Sequence, residues 1–139
     1  MITIEAIIER AKDGTYSVFC RNEIFSGAGA SIDEAKKDML EQMAFYKQTA
    51  QKEGFKYPAF LDEEFTVTYI VDSVSLLKYY VGAGILSLSG MEKMSGINKK
   101  QLWAYLHGTT KPRKAQEKRI ESGFRALNKD LNSLFAWYA

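Results

Sequence analysis

The sequence predicts an α+β fold, a β-β-β-α-β half followed by an all-α half, and three observations lead there. Alternation with a period of two dominates the first part of the chain outside one helical stretch. Spacing of three and four dominates the rest, and the change falls at Asp72. The third observation is charge: residues 1 to 72 hold 8 Lys/Arg against 13 Asp/Glu, and residues 73 to 139 hold 11 against 4. The two halves carry −5 and +7, which sum to the +2 of the 139-residue chain. An acidic unit joined to a basic one suggests a nucleic-acid module attached to something with another task. The domains are therefore expected at 1–72 and 73–139, joined directly, with no internal repeat or low-complexity linker.

Each element has its own reason. Residues 2 to 10 are isoleucine-rich with partial alternation, Lys12-Asp13-Gly14 supplies turn chemistry, and Tyr16, Val18 and Cys20 alternate with Thr15, Ser17 and Phe19. This reads as a hairpin. A short third strand is expected around Ile24 to Ala30, where Gly27 and Gly29 permit a bulge or close packing under a helix. Ser31-Ile-Asp-Glu34 matches a capping box, so a helix starts there. Its inward stripe is Ala35, Met39, Gln42, Met43, Tyr46 and Ala50, and Gly54 stops it. Lys56-Tyr-Pro-Ala is read as a loop, and Glu64 to Val71 is the strongest strand pattern in the chain. Val74, Leu77, Tyr80 and Val81 then open the helical half, with Gly82 and Gly84 as breakers.

Composition excludes several classes. One cysteine, Cys20, excludes an intramolecular disulfide framework, and no Cys/His cluster has metal spacing. The N-terminus carries carboxylates inside its apolar stretch and does not read as a signal peptide, and no run of eighteen apolar residues suggests a membrane span. A cytoplasmic protein without metal or cofactor is expected.

The stretch from Leu88 to Gly108 has the spacing of a helix-turn-helix. Ser87 can cap a short first helix, with Met91 and Met94 facing inward. Gly96 sits where the tight turn needs a positive φ, and Ile97 plugs the turn. Asn98 can cap the second helix, with Gln101 as its capping-box partner and a member of the DNA-facing set. Leu102, Tyr105 and Leu106 form the buried stripe, which leaves Lys99, Lys100, Trp103 and Ala104 outward. Lys99 and Lys100 can donate to guanine acceptors or phosphates, Asn98 to a phosphate, and Trp103 can pack on a thymine methyl or sugar. Thr109, Thr110, Lys111, Arg113 and Lys114 form a cationic loop that positions the protein on the backbone. Glu92, where the motif usually has a small residue, is a departure, and His107 reads as a helix-end residue.

A long terminal helix is expected from about residue 113 to 137. It carries Ile120, Phe124, Leu127, Leu131, Leu134, Phe135 and Tyr138 at close to heptad spacing. The first three suit a small core. From Leu131 onward, with Leu134 and Phe135, the chain is too apolar for a solvated tail, so a dimer or interdomain contact is expected.

The order of elements and several local sequences resemble the HicB antitoxin family. The resemblance rests on Gly14-Thr-Tyr-Ser-Val-Phe entering the second strand, the glycine-bearing stretch to Ala30, Ser31-Ile-Asp-Glu-Ala35 opening the helix, and a C-terminal DNA-binding module. The second half, through Ser95-Gly-Ile-Asn-Lys-Lys-Gln-Leu-Trp-Ala-Tyr and Lys111-Pro-Arg-Lys-Ala-Gln, looks like a Cro/repressor-type helix-turn-helix. The resemblance implies a partial ribonuclease H-like first half that blocks HicA, a small mRNA-cleaving toxin. It implies a second half that represses the shared operon. An acidic surface suits a basic RNA-cleaving partner. The stretch from Glu23 to Gly29 keeps glycine but lacks the proline and cysteine of the family's Asp-x-Pro-Gly-Cys-like segment.

A two-metal nuclease is the enzymatic alternative, with Glu5, Asp38 or Glu41, and Asp72 as ligands. Glu5 fits the polar alternate of a half-exposed strand and Asp72 an N-cap, and Gly27-Ala-Gly-Ala lacks the Lys-Ser/Thr of a phosphate loop. No catalysis is expected. The reading from sequence is a dimeric antitoxin that binds operator DNA and a HicA-like toxin. The alternative is a stand-alone regulator whose first half binds another ligand or protein.

Overall fold

Isoleucine-rich strand β1 (Ile2–Arg10) turns through residues 11 to 15 into β2 (Tyr16–Cys20). The Asp13 carboxylate closes the turn by accepting from the Thr15 amide at 2.9 Å and the Thr15 hydroxyl at 2.7 Å. Both bonds favour the ionised form and hold this carboxyl below its ordinary pKa. The computed structural model describes residues 1–138, apart from the Tyr138 side chain. It divides into two compact units, Met1–Asp72 and Ser73 onward.

In the first unit β3 (Ser26–Gly29) and β4 (Phe65–Val71) complete a four-stranded sheet of order β3-β2-β1-β4. Neighbours pair antiparallel except β1 and β4, which run parallel with Ile2 opposite Phe65 and Ile8 opposite Val71. The helix α1 (Ile32–Glu53) makes the crossover between β3 and β4 that a parallel pair requires. It packs on the face carrying Ala6, Ile8, Val18 and Cys20, through Ala35, Met39 and Met43. Cys20 is buried against Met39, and burial, followed by the nearby Glu23 charge, pushes its thiol pKa up.

The start of α1 is capped from both sides. Ser31 Oγ accepts from the Glu34 amide at 3.1 Å, and Glu34 reaches back to the amide of Ala30 at 2.8 Å. At the other end Gly54 takes the left-handed conformation, φ 76°. Gly27 and Gly29 let α1 lie directly on β3. A Cβ on Gly27 would overlap the Ala35 carbonyl oxygen and the Met39 backbone.

Two local expectations need correction. The third strand begins at Ser26 rather than near Ile24, because Asn22 at φ 67° turns the chain, buries Phe25 and leaves Ile24 exposed. Gln42 is exposed, although its spacing places it on the inward stripe. The loop expected from Lys56 runs as far as Pro58, and a 3-10 turn, Ala59–Asp62, follows it. Phe60 and Leu61 from that turn enter the core, where Phe60 meets Phe25 and Phe65 edge to face. Lys47 anchors the turn at the Leu61 carbonyl and the Asp62 carboxylate, both at 3.0 Å.

The second unit is helical: α2 (Ser73–Gly82), α3 (Leu88–Ser95), α4 (Lys99–Leu106) and α5 (Lys114–Phe135). Its core is Leu77, Met91, Ile97, Leu102, Tyr105 and Ile120. The Ser73 hydroxyl donates to the Glu117 carbonyl at 3.1 Å, tying the start of α2 to α5. The protein is thus α+β, with a mixed sheet in one unit and a helical second unit.

Candidate nucleic-acid interface

Two short helices and the turn between them organise the basic unit. Ser87 caps α3 by accepting from the Gly90 amide at 2.9 Å. Gly96 ends it at φ 73°, where its amide donates to the Glu92 carbonyl. A β-carbon at Gly96 would meet no neighbour, so the backbone angle alone selects glycine. Ile97 is buried beneath the turn, and its amide donates to the Ser95 hydroxyl at 3.2 Å. That hydroxyl itself donates to the Met91 carbonyl at 2.6 Å. Asn98 caps α4 by accepting from the Lys100 amide at 2.8 Å.

The reciprocal cap at α4 differs from expectation. Gln101 is half-buried and makes no bond back to Asn98. The Glu92 carboxylate crosses the turn instead and accepts from the Lys99 amide at 2.6 Å. A full negative charge is favourable at a helix N-terminus, and Glu92 supplies it at the Lys99 amide, one residue beyond the Asn98 amide that a capping box would use. What reads in the sequence as a departure is thus a clasp between α3 and α4. Ser95 is the other residue missed, since a polar residue at a helix end gives no sign that it relays a bond beneath the turn. Replacing Glu92 with alanine is expected to cost the second unit about 1 kcal/mol. A lower urea midpoint with an unchanged slope is the expected reading, and an unchanged midpoint would refute the clasp.

On α4, Leu102 and Tyr105 are buried while Lys99, Lys100 and Trp103 are exposed, with Trp103 at 49%. Leu88, Lys99, Lys100 and Trp103 line one open concavity of about 540 Å³. Ala104 is half-buried rather than outward, and its carbonyl accepts from Thr109 at 2.9 Å as the chain leaves the helix. His107 stacks on Trp103 with ring centres 4.0 Å apart, and its Nδ1 lies 2.9 Å from the Trp103 carbonyl oxygen. The histidine therefore steadies the exposed indole, a role its i,i+4 spacing could have suggested.

Beyond Gly108, at φ 71°, Thr110, Lys111, Arg113 and Lys114 are all exposed. None of Lys99, Lys100, Lys111, Arg113 and Lys114 joins a salt bridge within the described residues. Asn98 differs from them, because its side-chain oxygen is committed to the cap and only its NH₂ remains to donate.

The terminal stripe is split. Ile120 is fully buried and Phe124 packs on the core, whereas Leu131, Leu134 and Phe135 are 43%, 59% and 68% exposed. The Tyr138 side chain, placed on the same stripe by spacing, lies outside the described residues.

The carboxylates considered as metal ligands have local partners. Glu5 pairs with Arg21 at 3.0 Å, Asp38 accepts from the Ala28 amide at 2.9 Å, and Glu41 faces Lys37 at 3.9 Å. Among the described residues no three His, Cys, Asp or Glu side chains group as a metal site, and no helix is long and apolar enough to cross a membrane. Compared with known proteins, the chain matches no family model, no curated protein and no solved structure.

Proposed function

We propose that the second unit is a helix-turn-helix domain that binds double-stranded operator DNA, and that the protein is a homodimeric repressor of antitoxin type. The observation that carries this reading is the exposed start of α4. There Lys99, Lys100 and Trp103 stand together, and Lys111, Arg113 and Lys114, in the loop that follows α4 and at the start of α5, join no salt bridge among the described residues. A capped helix with cations at its outer first turns is what major-groove readout needs, and a cationic loop suits phosphate contact. The exposed Leu131, Leu134 and Phe135 suit a contact between two copies, as a symmetric operator requires.

The antitoxin part rests on the resemblance in the order of elements and on the −5 charge of the first unit. In this reading the first unit, a partial ribonuclease H-like domain, occludes a HicA-like mRNA-cleaving toxin. It performs no catalysis itself, needs no cofactor and acts in the cytoplasm. The missing proline and cysteine between Glu23 and Gly29 favour a second reading, a stand-alone regulator whose first unit holds another ligand or protein. Loss of RNA cleavage when this protein is added to a toxin encoded beside it supports the antitoxin. Unchanged cleavage supports the stand-alone regulator.

The DNA reading is tested by fluorescence anisotropy, titrating the protein against its own upstream DNA and a random duplex at two salt concentrations. Lys100→Ala is expected to weaken upstream binding by about 1–3 kcal/mol with little effect on random DNA. Arg113→Ala is expected to weaken both duplexes alike and to lower the salt slope by about one. Equal losses on both duplexes for both variants would overturn these roles.

A further inference from the structure

The two edges of the sheet are treated differently. The Cys20 amide bonds the Phe25 carbonyl, so Gly27 and Gly29 turn their backbone groups toward Val18 and Tyr16, while Ser26 and Ala28 on β3, and Ala30 just beyond it, point theirs away from β2. Two of those outward amides are taken by α1: Ala28 donates to Asp38 at 2.9 Å and Ala30 donates to Glu34 at 2.8 Å. The β3 edge is also only four residues long and contains two glycines. Short length and side-chain caps are ways in which proteins prevent pairing at an edge.

The β4 edge has none of this protection. Ile2 donates to the Glu64 carbonyl and Asp72 donates to the Ile8 carbonyl, so the even-numbered residues of β4 face β1. Phe65, Val67, Tyr69 and Val71 therefore direct their N–H and C=O groups outward, and the first unit supplies no partner strand on that side. The strand Phe-Thr-Val-Thr-Tyr-Ile-Val contains no charge, proline or glycine. Lys36, the nearby cation, lies over the Tyr69 ring at 4.3 Å from its centre.

We propose that β4 pairs antiparallel with β4 of a second copy about a twofold axis at Thr68. The sequence is self-complementary in that register. Val67 then lies opposite Tyr69 of the second copy and Phe65 opposite Val71, all residues whose backbone groups face outward. Each such pair exchanges both backbone bonds, and Thr68 meets its own copy at a non-hydrogen-bonded position. Aromatic and β-branched side chains meet across the seam, the pairings that stabilise sheets. The two four-stranded sheets become one continuous sheet. The guarded β3 edge and the open β4 edge together favour a second copy at this one place. This contact is separate from the one proposed for the terminal helix.

Thr66 and Thr68 are exposed, so cysteine is tolerated at either, and the native Cys20 is buried. In the proposed register the two Thr68 Cα atoms are about 4.5 Å apart, within disulfide reach. The two Thr66 residues are about 14 Å apart, beyond it. The full-length Thr68→Cys variant, oxidised with glutathione disulfide, is expected to double in mass on a non-reducing gel, with a 68–68 bridge by peptide mapping. Thr66→Cys is expected to stay at single-chain mass. Adding Val67→Pro to Thr68→Cys removes an amide that points away from β1, along with part of the packing of Val67 on the core, and is expected to abolish the bridge while circular dichroism still reports a folded chain. Equal bridging by the two cysteine variants, or none by Thr68→Cys, would overturn the proposal. Loss of the terminal-helix contact leaves this readout intact, because the bridge reports the β4 seam alone.

Discussion

Replacing Gly27 with alanine is expected to destabilise the first unit by about 3 kcal/mol, at the upper end of ordinary overpacking. The added methyl meets backbone atoms of α1, at Ala35 and Met39, rather than the end of a side chain that could rotate away. The helix must lift from β3, and the bonds from Ala28 to Asp38 and from Ala30 to Glu34 stretch with it. Val18 and Cys20, buried under the helix, lose packing as well. Small domains have stabilities near the low end of about 5–15 kcal/mol, so this is a large share. Gly54→Ala is the control: its φ of 76° strains an alanine, but nothing lies within reach of the methyl. That variant is expected to cost about 1 kcal/mol. Urea unfolding followed by circular dichroism compares the two, and a Gly27 cost no greater than the Gly54 cost would contradict the close approach.

The contrast shows which parts of the fold were legible in the sequence. Ser31, Ser87, Gly54 and Gly96 act within a few residues of themselves, so their roles as caps and stops could be read from local order. The alternation of Tyr16, Val18 and Cys20 likewise marks an inward face without knowledge of the partner strand. Long-range choices left no such mark. The parallel pairing of β1 with β4 and the burial of Phe60 and Leu61 from a 3-10 turn depend on segments far apart in sequence. Gln42 shows the limit of periodicity, because a wheel position says which face a residue shares but not where the sheet beneath it ends.

At the candidate interface the legible part was the exposed set, Lys99, Lys100 and Trp103, and the illegible part was its support. Glu92 lies seven residues before the amide it caps, and only the turn brings them together. The terminal helix carries a similar lesson. Ile120 and Leu134 occupy equivalent heptad positions, yet one is fully buried and the other exposed. A 22-residue helix rises about 33 Å, whereas α3 and α4, at 8 residues each, rise about 12 Å. The last turns of α5 outrun the helices that could cover them, so the same spacing serves the core at one end and leaves apolar side chains exposed at the other.

Leu102→Ala is expected to cost the second unit about 3 kcal/mol and to abolish duplex binding without altering any residue proposed to face DNA. Leu102 is fully buried, at the centre of a core made with Leu77, Met91, Ile97, Tyr105 and Ile120. Truncation removes transfer energy and leaves a cavity, and leucine truncations at such sites cost about 2–5 kcal/mol. In a unit this small the remaining core cannot hold α4 in place, so Lys99, Lys100 and Trp103 lose their common orientation. Hydrogen exchange should show faster amides in α3, α4 and the first half of α5, while β1 and β2 keep their protection. Lys100→Ala should leave exchange unchanged and still weaken binding to upstream DNA. Loss of binding by both variants, with faster exchange in only one, separates a residue that touches DNA from one that presents it. Full duplex affinity in Leu102→Ala, with exchange accelerated as expected, would mean that binding does not depend on a rigid α4, and the role proposed for that helix would fall.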